Sequence, residues 1–274
     1  GKLPKGKNNL ITDVKGIKVG HKTLDDGKIK TGVTAIIPHS DNIFKEKLIC
    51  SSYVINGFGK SIGLVQINEL GTLETPIILT NTLSVGTCST ALVKYMLKEN
   101  EDIGVTTGTV NPVVCECNDG YLNDIRGLHV KEEDVFDAIE NAEINFKEGN
   151  IGAGTGMSCY QLKGGIGSAS RVLKLDDKEY TIGSLVLSNF GLKEDLLVDG
   201  IKVGEKILEK EREELEKGSI IIILATDIPM NERQLKRIAR RVPIGLARTG
   251  SHIGNGSGDI VIAFSTANRI KHYE

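Results

Sequence analysis

The chain has 274 residues, 39% of them hydrophobic and 26% charged, with a formal net charge of −2. That balance is ordinary for a soluble globular protein and gives no electrostatic ground for nucleic acid or an anionic membrane as partner. No apolar run approaches a membrane-spanning length, and the opening Gly-Lys-Leu-Pro-Lys lacks a signal peptide's apolar core, although a start at Gly1 leaves room for a removed leader. The five cysteines, at 50, 88, 115, 117 and 159, form no regular framework and fit neither a redox pair nor a zinc site. They read as reduced core thiols of a cytoplasmic protein. Thirty-two glycines point to tight connections and close backbone approaches rather than to a helical bundle. With no linker, repeat or low-complexity tract, the chain reads as one domain of mixed α/β class.

Residues 32–38 read as a strand ended by Pro38, and 51–56 as another. Gly57-Phe-Gly-Lys-Ser61 resembles the end of a phosphate loop, but Val54 stands where that loop requires glycine, so nucleotide binding is not expected. Residues 75–80 form a buried strand. Leu92, Tyr95 and Met96 recur at helical spacing within 90–99, where Ser84, Ser89 or Thr90 would act as a cap. Residues 105–110 and 113–117 are strand-like, and 118–124 is a turn-rich loop. A helix over 130–142 buries Val135, Phe136, Ile139 and Ala142, and its acidic first turn suits the positive helix end.

Glycine is dense again over 149–167. Gly152-Ala-Gly-Thr-Gly156 is followed by Met157, which removes the last glycine of a dinucleotide fingerprint. Open backbone amides here, at Gly154 and Gly156, suit a substrate carboxylate or part of an oxyanion hole. Tyr160 is either a half-buried strand tyrosine or a hydrogen-bonding group of a site. The strand predicted over 180–188 ends at Asn189, whose amide either faces a site or caps a turn. The highly charged 202–217 reads as a mobile helical connection with a solvated face. Residues 219–225 are the most strand-like run and belong at the centre of a sheet; 231–241 is a basic amphipathic helix buried through Leu235, Ile238 and Ala239.

The chemistry concentrates near the end of the chain. Residues 249–258 contain four glycines and lead into Ile260-Val-Ile-Ala-Phe264, a short buried strand. Asn255-Gly256 alone would be an ordinary turn signal. Ser257, between Gly256 and Gly258, sits where a backbone can be bent and then fixed. The five histidines, at 21, 39, 129, 252 and 272, make no triad or metal motif, and the nearness of His252 to Ser257 in sequence is a weak signal of a catalytic role.

Asn-Gly-Ser-Gly-Asp-Ile260 with Ala263-Phe-Ser-Thr-Ala-Asn268 resembles the processing site of the P1 (DmpA/BapA-like) aminopeptidase family. The resemblance extends through Asn9-Leu-Ile-Thr-Asp-Val-Lys-Gly-Ile-Lys-Val-Gly-His21, Glu116-Cys-Asn-Asp-Gly-Tyr-Leu-Asn-Asp-Ile-Arg126, Gly152-Ala-Gly-Thr-Gly-Met157 and Lys163-Gly-Gly-Ile-Gly167, in the family's order. It implies a layered αββα sandwich of the DmpA/ornithine acetyltransferase-like fold. It also implies a single self-processing domain cut at Gly256–Ser257, with 1–256 as the larger subunit and 257–274 as the start of the smaller one. The family's smaller subunit runs longer and carries a further serine and an acidic residue, so the chain is expected to continue past Glu274, the alternative being a short variant with a compromised site. Ser257 would be the nucleophile and its freed α-amino group, titrating at about 7.7–8.0, the base. Tyr160, Asn189 and Asn255 would steady the oxyanion or orient the amine. The expected activity is release of N-terminal residues from short peptides or amides by a homo-oligomer without metal or cofactor. The alternatives are an amidase or acyl transferase of the same fold, and a ligand-binding relative that does not process itself.

Overall fold

The computed structural model describes residues 2–207 and 218–273. In chain order the strands are β1 (Lys18–Asp26), β2 (Ile29–Ile37), β3 (Glu46–Gly57), β4 (Thr72–Leu73), β5 (Ile77–Asn81), β6 (Val113–Cys117), β7 (Ser158–Cys159), β8 (Leu162–Lys163), β9 (Gly165–Leu175), β10 (Lys178–Asn189), β11 (Leu197–Val198), β12 (Ile201–Lys202), β13 (Gly218–Thr226) and β14 (Ser257–Lys271). The helices are α1 (Leu64–Leu70), α2 (Val85–Glu99), α3 (Glu132–Glu140), α4 (Val203–Ile207), α5 (Glu232–Ala239) and α6 (Val242–Ala247). One sheet runs β1-β2-β5-β6 and the other β4-β3-β14-β13-β10-β9. Strand β14 lies inside the larger sheet, parallel to β13 and antiparallel to β3.

The layers follow from which faces are apolar. Along β13, Ile221, Ile223 and Ala225 join the main core, while Ile220 and Ile222 pack with Leu235, Ala239 and Leu246 of α5 and α6. Burial on both faces explains the unbroken run Ile220-Ile-Ile-Ile-Leu224, since alternation is required only when one face meets water. β14 divides likewise: Ile260, Ile262 and Phe264 point into the main core, Val261 and Ala263 into the helix-covered one. On the smaller sheet, α3 packs against β1 and β2, and α2 against β5 and β6. Gly20 permits that contact, because a Cβ there would lie 2.0 Å from the Ala138 carbonyl oxygen. The layers therefore run helix, sheet, sheet, helix, which is the αββα sandwich.

Several sequence expectations need correction. Residues 105–110 form no strand: the amides of Val105, Thr106 and Thr107 all converge on the Asp102 carbonyl, and Val105 is 79% exposed, so its β-branched character finds nothing to pack against. Helix α2 begins at Val85, which puts Ser84 at its N-cap position without a side-chain capping bond and places Ser89 and Thr90 inside the helix. Asn81 does the capping, its side chain accepting from the amides of Leu83 and Ser84 in the 3₁₀ turn before the helix. In α3 the buried residues include Val135, Ala138 and Ile139, while Phe136 is only half-buried; the helix ends at Glu140, so Ala142, also half-buried, lies beyond it. Of the charged stretch 202–217, α4 covers the beginning, and 208–217 lies outside the described residues. The strand expected at 260–264 is part of the much longer β14, and Ser257 is that strand's first residue.

Candidate active site

Ser257 heads an inner strand whose two neighbours both supply polar groups. The chain enters through a β-turn: the Ser257 amide donates to the Gly254 carbonyl at 3.0 Å, with Asn255 and Gly256 as its central residues. From β3, Asn56 Nδ2 donates to the carbonyls of Gly254 (3.2 Å), Asn255 (3.1 Å) and Ser257 (2.5 Å). The Phe58 amide adds a bond to the Ser257 carbonyl at 3.3 Å. From β13, Ser219 Oγ accepts the Gly258 amide at 3.2 Å. A Cβ at residue 258 would lie 2.8 Å from the Phe58 carbonyl oxygen, so glycine is what lets the loop after β3 close over the start of β14.

The Ser257 side chain is 4% exposed and donates its hydroxyl proton to Asp259 Oδ1 at 2.5 Å. Residues i and i+2 of a strand share a face, which is how the two meet. Asp259 Oδ1 also accepts the Ile220 amide at 3.2 Å. Burial pushes the Asp259 carboxyl above its usual range, against the opposing pull of those two hydrogen bonds.

A second carboxylate faces this corner from the smaller sheet. Glu116, on β6, is 2% exposed. Its Oε1 accepts the Lys60 amide at 2.9 Å and its Oε2 accepts the Thr82 hydroxyl. Among the described residues no cationic side chain pairs with it. Gly59 lies between the two strands' groups: a Cβ there would stand 3.3 Å from Glu116 Oε1 and 3.6 Å from the Gly258 Cα.

Asn189 reaches the same end of the sheet. It pairs with Ser219 across β10 and β13, and Ser219 pairs with Gly258 across β13 and β14. Its amide is engaged on both sides, accepting from the Ser158 amide at 2.9 Å and donating to the Asn118 carbonyl at 2.8 Å. Tyr160 adopts φ 52°, its amide donates to the Phe190 carbonyl at 2.6 Å and its ring meets Phe190 edge-on at 5.1 Å. Its hydroxyl is 2.8 Å from Thr249 Oγ1, at the start of the loop that ends in Ser257. Asn255 is exposed on the turn.

Gly154 and Gly156 are placed differently from their expected role as open amides. The Gly154 amide is spent on the Ile151 carbonyl at 2.9 Å, within a 3₁₀ turn. Gly156 is buried against β2, where a Cβ would meet the Lys30 carbonyl oxygen at 2.0 Å. These glycines serve close packing. His252 bonds Asp195 at 3.1 Å on the surface, and among the described residues no group of three or more His, Cys, Asp or Glu is arranged to hold a metal. Four cysteines are buried, and burial pushes the thiols of Cys88 and Cys115 up to about 12.

The groups that sequence reading did not single out are Asn56, Ser219 and Glu116. Asp259 lies within the stretch 255–259 where the sequence concentrates the chemistry, but its contact with the Ser257 hydroxyl follows only from their shared strand face. Asn56 carried no local signal, because its partners lie some two hundred positions further along the chain.

The αββα sandwich and the family it matches define a hydrolase of the peptidase class. The chain belongs to peptidase family S58, whose model matches residues 9–274. It is 40% identical over 288 aligned residues to the beta-peptidyl aminopeptidase BapA of Sphingosinicella microcystinivorans, covering 96% of this chain and 72% of that protein. Among solved structures, the PH0078 protein from Pyrococcus horikoshii OT3 is 58% identical with a TM-score of 0.96, over 100% of this chain and 79% of that one. The L-aminopeptidase D-Ala-esterase/amidase of Ochrobactrum anthropi, described as a prototype serine aminopeptidase with a variant of the Ntn hydrolase fold, is 38% identical with a TM-score of 0.91, over 99% of this chain and 78% of that one. Among the described residues no helix is long and apolar enough to cross a membrane.

Proposed function

We propose that this chain is an aminopeptidase that activates itself by cutting its own Gly256–Ser257 bond. The observation that carries the reading is the clamp on that bond. The amide nitrogen is tied back to Gly254, Asn56 holds the carbonyls of Asn255 and Ser257, and the Ser257 hydroxyl is buried beside the peptide. Attack of Ser257 Oγ on the Gly256 carbonyl carbon breaks the C–N bond and leaves an ester, which water hydrolyses to a Gly256 carboxylate and a free Ser257. The new α-amino group, with an ordinary pKa of about 7.7–8.0, is then the base beside the nucleophile. Cleavage and turnover are thereby linked, since the free amine that serves turnover as its base does not exist before the cut.

An aminopeptidase must also hold its substrate's ammonium. Glu116 suits that role, being a buried carboxylate without a cationic partner among the described residues, across Gly59 from the start of β14. Asn189 and Tyr160, at the same end of the sheet, orient the loop and the reacting groups. The BapA relatives' names support N-terminal β-amino acid residues as substrates. The name of the Ochrobactrum enzyme supports the amidase alternative, in which the same acyl-enzyme forms from an amide or ester. A homo-oligomer, checked by light scattering, completes the reading; the free, mostly buried thiols fit a reducing compartment such as the cytoplasm.

N-terminal sequencing of the purified, processed protein tests it. The smaller fragment should begin Ser-Gly-Asp-Ile, whereas one beginning at Ser251 would move the nucleophile. A single uncut band with no hydrolysis would favour the non-processing, ligand-binding alternative.

A further inference from the structure

The self-cleavage just proposed needs a base for its first step. In the mature protein the Ser257 α-amino group can accept the hydroxyl proton, but in the uncut chain that nitrogen is an amide and its hydrogen is given to the Gly254 carbonyl. The group in contact with the hydroxyl is Asp259, whose Oδ1 lies 2.5 Å from Ser257 Oγ. We propose that Asp259 is the general base of the first cut, a role that rests on the reading of Gly256–Ser257 as the processed bond. It accepts the Ser257 hydroxyl proton as Oγ bonds to the Gly256 carbonyl carbon, and that proton passes to the Ser257 nitrogen as the C–N bond breaks. The products are the Gly256 ester and a free amine, with the Asp259 carboxylate restored.

Three observations support the assignment. The contact is direct and buried, so the proton moves without solvent rearrangement. The Ile220 amide fixes the carboxylate from β13 at 3.2 Å. Burial raises the carboxyl above the usual range, which strengthens it as a base. The groups around it leave that role open: Asn56 stands opposite on β3, Ser219 and Ile220 lie on β13, and the titratable neighbour from β6, Cys117, has a thiol raised well above its ordinary range and is neutral.

Asp259→Asn separates base from scaffold, because an amide oxygen still accepts from the Ser257 hydroxyl but does not take its proton. The chain would be made in a cell-free reaction, shifted to buffers from about pH 4, near the ordinary carboxylate value, to about 9, and its cleavage followed on denaturing gels, with Asp259→Glu and Ser257→Ala beside it. The expected result is a folded Asn variant that cleaves on the order of 10²–10⁴-fold more slowly and loses the rise of rate with pH through the carboxyl's ionisation. The Glu variant should recover part of the rate with a displaced pH limb. If the Asn variant does not fold, the Glu variant decides: a displaced limb supports the assignment and an unchanged profile overturns it. Cleavage of the Asn variant at the wild-type rate and pH profile also overturns it, while leaving Ser257 as nucleophile. Cleavage in Ser257→Ala would instead sink the underlying reading.

Discussion

Asn56 Nδ2 lies 2.5 Å from the Ser257 carbonyl oxygen and 3.1 Å from that of Asn255, so one side chain of β3 spans the Gly256–Ser257 peptide. The pairing of β3 with β14 slips at this point: Asp259 stands opposite Asn56 and Ile260 opposite Val54, which leaves Ile55 unmatched. A bulge of this kind re-aims a side chain at a strand end. Here the re-aimed group is the amide that holds the turn.

Asn56→Ala should therefore slow self-cleavage. It removes the donor shared by three carbonyls but leaves Ser257 and Asp259 in place, so the loss is one of alignment. A misplacement of about 1 Å costs on the order of 10²-fold in rate. Gel time courses of fragment appearance measure it; a wild-type rate would mean that the Gly254–Ser257 hydrogen bond holds the turn without help.

Ser257→Ala should abolish both cleavage and hydrolysis, because both reactions need the same oxygen. Loss of a serine nucleophile costs on the order of 10⁶ in turnover. The stability cost is larger than for an ordinary turn position: Ser257 is buried, and its hydroxyl is one of the two donors to Asp259 Oδ1. Removing it from a buried acceptor costs about 1–3 kcal/mol. The variant should be a single band, inactive and folded, with a lowered melting temperature. Hydrolysis at a comparable rate would turn attention to Ser84 or Ser251.

The fold was legible where burial is symmetrical. Ile220 to Leu224 announced an inner strand because both faces are covered by apolar layers. β1 was opaque by the same logic, since its outer half, Lys22 to Asp26, is largely half-buried or exposed and reads as polar. The Val105–Val110 stretch misled because β-branched residues mark strands only where a neighbouring strand exists to receive them. At the site, the glycines around Ser257 marked the turn that leads into β14. Asn56, which bonds the Ser257 carbonyl, comes from β3, and Glu116, across Gly59 from Gly258, comes from the facing sheet; only the sandwich brings them to one corner.

Glu116→Gln should weaken substrates with a free N-terminal ammonium while leaving self-cleavage close to normal, because the processed bond presents no ammonium. A hydrogen bond to a charged group contributes about 1.5–3 kcal/mol, or roughly ten- to a hundred-fold in kcat/KM, and the loss should fall mainly on KM. Steady-state kinetics on a peptide amide with a free amine tests it. An unchanged KM would assign Glu116 a purely structural role through Lys60 and Thr82.

His21 makes the protein's stability depend on pH in a predictable direction. It sits on β1 with Nδ1 2.9 Å from Thr34 Oγ1 and Nε2 3.0 Å from the Lys147 carbonyl oxygen. Thr34 Oγ1 already accepts the Ala153 amide at 3.1 Å, so its hydroxyl hydrogen is free for Nδ1, and the neutral tautomer with hydrogen on Nε2 satisfies both ring nitrogens. Burial pushes the ring down to about 4 from an ordinary 6.5, against the opposing pull of the Lys147 carbonyl. Between those values the unfolded chain binds the proton and the folded one does not. The stability contributed by neutral His21 is therefore fully present above pH 6.5 and is lost as pH falls toward 4, with a slope of at most about 1.4 kcal/mol per pH unit. Asp119 works against it: burial raises that carboxyl from 3.8 to about 6, so its contribution is present at low pH and fades as pH rises through that window. A His21→Gln variant removes only the first term. Urea unfolding of the wild type and the variant from about pH 4 to 7 should show the wild type losing stability more steeply on acidification, by up to that slope. Parallel curves would mean that the ring is not held neutral in the folded protein, and that the contacts to Thr34 and Lys147 do not define its tautomer.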